Sequence, residues 1–80
     1  MFIVNRYFKE KGGNHQHSSQ YFDIPIPTDG NIPQDVKNRM YAICDADGNN
    51  PNVDYALCQT IDETGRVWRT ELIKPLPQTV

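Results

Sequence analysis

The chain has 80 residues, 38% hydrophobic, 22% charged and 10% aromatic, with a formal net charge of −2. These values describe one globular domain with a small interior and exclude a disordered chain. A core this small leaves little room for a ligand pocket of the usual size, about 300–1,000 Å³, and a net charge this small gives no argument for a polyanion binder.

The small interior points away from an enzyme and toward a protein that binds with its surface. The opening stretch MFIVNRYFKEK meets Asn5 and Arg6 too early for a signal peptide, and no apolar run approaches the ~18 residues of a membrane span. A cytoplasmic protein is expected, with Cys44 and Cys58 reduced.

MFIVNRYFK is rich in strand formers, with Phe2, Ile3, Val4, Tyr7 and Phe8. GGNHQHSSQ follows with loop composition and is expected to form a solvated hairpin tip. YFDIPIP then alternates, with Phe22, Ile24 and Ile26 on one face, so a second strand is expected there. Pro25 and Pro27 cannot donate to a ladder and place that strand at a sheet edge.

In the next segment Ile32, Val36, Met40 and Ile43 fall at helical spacing. Asn31 is the expected N-cap, Gln34 completes a capping box, Pro33 suits the first turn and Gly48 supplies a stop. A competing reading makes MYAICDAD a strand. DGNNPN is turn chemistry. VDYALCQTI and RVWRTELIK read as two strands joined by DETG, with Trp68, Thr70 and Leu72 on one face and Arg69 and Glu71 on the other. Residues 75–80 read as an extended tail. The expected fold is α+β over residues 1–80: about four antiparallel strands with one helix packed on them, in the order ββαββ.

Several constellations carry residue types suited to chemistry. His15 and His17 with Cys44 and Cys58 supply four zinc-ligand types, but thirteen residues separate the cysteines where structural sites use Cys-x₂₋₄-Cys. Asp45, Asp47 and Asn49 suggest a calcium loop, yet counting from Asp45 the sixth and twelfth positions hold Asn50 and Ala56 instead of glycine and glutamate. Ser18 and Ser19 lie near His15 in the same expected loop, without the rigid support that a catalytic triad needs. No metal, cofactor or catalytic residue is therefore expected.

Charge is unevenly spread. Residues 1–19 and 65–80 each carry +2, and residues 20–64 carry −6. If the two terminal segments lie side by side, Arg6, Lys9, Arg66, Arg69 and Lys74, interleaved with Tyr7 and Trp68, form an alternative nucleic-acid face. The preferred expectation is a non-enzymatic protein-binding domain, an accessory or inhibitor protein of the kind bacteriophages direct at host machinery. Its expected contact residues are Asp45, Asp47, Asp54, Tyr41, Tyr55 and Arg39, meeting a basic partner surface. A homodimer would also relieve the thin core.

Overall fold

The structure is a computed structural model that describes residues 1–75. The expected tail, residues 75–80, lies outside the described residues except for Pro75. Four strands and one helix follow in the order expected: β1 (Phe2–Glu10), β2 (His15–Phe22), α1 (Gln34–Gly48), β3 (Val53–Asp62) and β4 (Val67–Lys74). All neighbours pair antiparallel in one sheet of order β2-β1-β3-β4, and α1 packs across one face of it.

The strand alternation decides which residues meet the helix. From β1 come Phe2, Val4, Arg6 and Phe8; from β3 come Ala56, Cys58 and Thr60. These three small β3 residues are fully buried and let the helix sit close. Val36, Met40 and Ile43 fill the space above the sheet, and the Thr60 hydroxyl donates to Met40 Sδ at 2.8 Å. MYAICDAD is thus helix, and the apolar stripe read from the sequence is its buried face.

The helix start differs from expectation. Pro33 is the N-cap and no side chain caps the first turn. The Asn31 backbone N–H donates to Asp29 Oδ1 in an Asx turn, and Gln34 Nε2 donates to Asn38 Oδ1 at 2.8 Å rather than reaching back. The fixed φ of Pro33 starts the helix after the proline, which leaves Asn31 outside the capping position.

The second strand also differs. It is HQHSSQYF, not YFDIPIP, and the hairpin tip is only Lys11–Asn14, with Gly12 at φ +73°. The eight β2 residues pair with β1 without a register shift, from Phe2 opposite Phe22 to Lys9 opposite His15. Pairing with a strongly β-forming neighbour outweighs the weak strand preference of serine and glutamine. Beyond Phe22 the ladder stops, where Pro25 and Pro27 could not have donated to it; Phe22 and Ile24 turn into the core and Ile26 stays exposed.

At the other edge, register shifts between Ala56 and Leu57 and between Thr60 and Ile61 re-aim β4. Trp68 therefore leaves the face it would share with Thr70 and Leu72 and packs edge-on against Phe2, with centroids 5.3 Å apart.

Candidate functional site

Among the described residues nothing covers the second face of the sheet. Its side chains form four rows across the strands. Tyr21, Ile3, Ile61 and Val67 make the first; Ser19, Asn5, Gln59 and Thr70 the second. His17, Tyr7, Leu57 and Leu72 make the third, and His15, Lys9 and Tyr55 the fourth. Tyr21, Val67 and Leu72 are exposed at 64%, 50% and 58%. Lys9 is the one charged side chain in these rows, and it lies 3.8 Å from Asp54. The face is therefore apolar and aromatic at both ends, with an uncharged polar row between.

Hydrogen bonds and ring contacts tie the polar row to its neighbours. Asn5 Oδ1 is buried in the sheet and accepts from Ser19 Oγ at 2.6 Å, with His17 Nε2 at 3.1 Å. The His17 ring stacks on Tyr7, with centroids 4.5 Å apart and 7° between planes. His15 meets Tyr55 edge-on at 5.8 Å. The histidines are thus fixed strand residues, a correction to the solvated tip. Ser19 also lies 3.1 Å from His17 Nε2, but its hydroxyl donates to Asn5. Serine and asparagine both sit at the same ring nitrogen, whereas a nucleophilic serine needs one nitrogen free to take its proton and the other held by an orienting acceptor.

Two depressions flank the sheet. One, open and of about 450 Å³, lies on the uncovered face among Tyr7, His15, Gln16, Tyr55, Leu57 and Gln59. The other, about 190 Å³, lies between α1 and β4 beside Tyr41, Cys44 and Arg69 and is smaller than an ordinary ligand pocket.

The expected contact residues do not form one surface. Asp47 is only 1% exposed and is bound by Arg6: Nε donates to Oδ2 at 2.7 Å, and the terminal nitrogen Nη2 donates to Oδ1. Asp47 follows Val36, Met40 and Ile43 on the buried stripe of α1, so the fold turns it inward. Asp54 sits beside Lys9, which leaves Asp45 as the exposed acid of the three. Tyr41 and Arg39 are exposed on the helix, and Tyr55 lies on the uncovered sheet face. The pairing of Asp47 also removes it from the calcium pattern.

The basic residues are likewise divided, because β3 lies between β1 and β4. Arg6 binds Asp47 and lies over the Phe8 ring at 3.8 Å. Arg69 Nε donates to Glu71 at 2.5 Å, and Arg66 lies over Trp68 at 4.7 Å. Lys74 Nζ donates to the Asn50 and Val53 carbonyls just past the end of α1, at 2.6 and 3.2 Å. With Lys9 beside Asp54, each of the five cations already has a partner and no continuous basic strip remains.

The sheet also separates the zinc-ligand types: His15 and His17 lie on the uncovered face, and Cys58 is buried beneath α1. Among the described residues no three of His, Cys, Asp and Glu converge. Cys44 and Cys58 are both free, and burial pushes the Cys58 thiol up to about 11. Among the described residues no helix is long and apolar enough to cross a membrane. Compared with known proteins, the chain matches no family model, no curated protein and no solved structure.

Proposed function

We propose that this chain is a small, non-enzymatic protein-binding domain whose contact surface is the uncovered sheet face. The supporting observation is the set of rows just described: exposed Tyr21, Val67 and Leu72 around half-buried Ile3, Tyr7, Leu57 and Ile61, with almost no charge. Surface of that composition resembles the core of a protein interface, where aromatic residues are enriched and charge is depleted. The face is broad and its depression is open to solvent, which suits a folded partner better than a small molecule. An accessory or inhibitory role in the cytoplasm, occupying part of a larger assembly, agrees with this surface and with two free thiols.

This choice relocates the expected contact from the acidic segment to the sheet. An Asp47→Lys substitution would test the fold rather than recognition, because Asp47 is buried against Arg6.

Leu72→Glu is the direct test. It places a charge on the face, at its β4 side and at a position exposed by 58%, so folding should be retained. Affinity for the partner should fall at least about tenfold, since burying a leucine is worth roughly 1.5–3 kcal/mol and burying an unpaired carboxylate opposes binding further. The wild type, Leu72→Glu and Asp45→Lys are compared as baits in nuclease-treated lysate. A near-equimolar protein lost with Leu72→Glu and kept with Asp45→Lys supports the sheet face. Retention with Leu72→Glu, or capture that vanishes with nuclease, overturns it.

A further inference from the structure

The two edges of the sheet differ in kind. Edge β4 carries Arg69, Glu71 and Lys74 and is interrupted by two register shifts, both of which discourage another strand from pairing there. Edge β2 has none of these guards. Its eight residues, HQHSSQYF, include no Lys, Arg, Asp, Glu or Pro, and the strand pairs regularly with β1 over its whole length. His15 to Tyr21 are all exposed, so no other element of the described chain lies along this edge. Such an edge is a template for strand addition.

We infer that β2 pairs antiparallel with β2 of a second copy, around a two-fold axis at Ser18, giving a continuous eight-stranded sheet. The sequence around Ser18 complements itself. Side chains directly opposite each other in an antiparallel pair lie on the same face, so the residue numbers of partners about this axis add to a constant, and each stays on its own side of the sheet. Gln16 then meets the second copy's Gln20, and two amides can each donate and accept. His17 meets the second copy's Ser19, a combination that already forms a 3.1 Å contact within one chain. His15 meets Tyr21, an aromatic cross-strand pair, and the smallest side chains, those of Ser18, meet at the axis.

Charge favours the same occupant. The chain is net negative at −2, yet this edge brings no charge to the axis, so two copies approach without like-charge repulsion across the seam. Seven facing residues supply about six to eight main-chain hydrogen bonds. A contact made through one strand edge belongs with the small interfaces, under about 1,200 Å², so dissociation is expected in the micromolar range or weaker. The inference concerns an edge and stands apart from the proposed protein contact on the sheet face. Both uncovered faces lie on one side of the doubled sheet and stay open.

Sedimentation equilibrium of the whole chain across the micromolar range is the first measurement. The expected result is a monomer–dimer equilibrium. A triple variant, Gln16→Lys, Ser18→Lys and Gln20→Lys, puts three like-charged pairs across the axis; at about fivefold each, association weakens about a hundredfold. Its net charge moves from −2 to +1, so general repulsion between copies does not explain the loss. All three positions are exposed, and an unchanged melting transition at low concentration confirms the fold.

Disulfide trapping gives an independent readout. Strand residues facing each other have Cα atoms about 4.5–5.5 Å apart, within disulfide reach. In a Cys44→Ser background Ser18→Cys should form a covalent dimer under mild oxidation, while Thr70→Cys, on the uncovered face, should not. Buried Cys58, its thiol near 11, does not compete. A monomer at every concentration overturns the inference, as does a triple variant that associates like the wild type. Trapping at Thr70 instead of Ser18 would show that copies meet face to face, which also overturns it.

Discussion

Replacing Arg6 with alanine should destabilise the protein by about 3–5 kcal/mol, the cost of leaving a buried charge without its partner. An 80-residue domain has a total stability of roughly 4–12 kcal/mol, so Arg6→Ala should sit at the edge of unfolding at room temperature. The asymmetry of the pair sharpens the expectation. Asp47 is 1% exposed, whereas the Arg6 side chain is 28% exposed and can still find water. Asp47→Ala should therefore cost less than Arg6→Ala. Its hydrogen bonds to the Asp47 carboxylate, opposed by partial burial, hold the Arg6 guanidinium above its usual value.

Replacing both partners tests what the pair is for. Arg6→Met with Asp47→Leu removes both charges and keeps apolar volume, and should restore most of the loss from either single change. Urea unfolding of the four proteins gives the comparison, with unchanged slopes required for a two-state reading. Equal losses for both single substitutions, with no recovery in the double, would show that the pair does not act as a buried couple.

The second large effect lies at the β3–β4 turn. One carboxylate, Asp62, accepts from the Thr64 backbone at 2.8 Å, the Thr64 hydroxyl at 2.5 Å, the Arg66 backbone at 3.2 Å and the Trp68 indole at 2.9 Å. Gly65, at φ +88°, lets the chain turn tightly enough to aim these donors at it. The hydrogen bonds from the Thr64 hydroxyl and Trp68 hold the carboxyl at about 2, below its ordinary 3.8. A carboxyl lowered in the folded state adds stability above the unfolded value and loses it as the proton returns. This contribution is thus whole above pH 3.8 and fades as pH falls toward about 2.

Asp62→Ala should abolish that part of the acid dependence and leave four donors without their acceptor. It should also free Trp68, which the carboxylate fixes beside Phe2. Melting transitions at neutral and acid pH, followed by tryptophan fluorescence, measure both effects. If the variant keeps the wild-type slope of stability between pH 3.8 and about 2, Asp62 is not the responsible group.

The fold was legible where a periodicity had a single interpretation. Val36, Met40 and Ile43 at helical spacing, and Ala56, Cys58 and Thr60 at strand spacing, gave the helix and the strand face beneath it. The Arg6–Asp47 pair was also within reach. Arg6 interrupts the alternation of Phe2, Val4 and Phe8, and Asp47 continues the helical stripe, so each charge falls on a core-facing position of its element. The summed charge of a segment does not record which way each acid points, so it does not reveal that match.

The position of β2 was not legible, because HQHSSQ is a strand only by virtue of β1. Its stabilising partners, Asn5 and Tyr7, lie ten or more residues away, and no local preference marks them. Trp68 was misplaced for a similar reason: a one-residue shift against β3 moves a side chain to the opposite face, and nothing in RVWRTELIK records it. The uncovered face itself is a property of the assembled sheet.

The order β2-β1-β3-β4 also governs how fast the protein can form. Each hairpin joins neighbours in the chain and closes within about 1–10 μs. The central seam, residues 2–10 against 53–62, must bring together segments some 40 residues apart, an entropic cost of about 3 kcal/mol before any contact offsets it. Closure of that seam over α1 is therefore the slow event, and the rate of folding should answer to Val4, Cys58 and Met40 far more than to either turn.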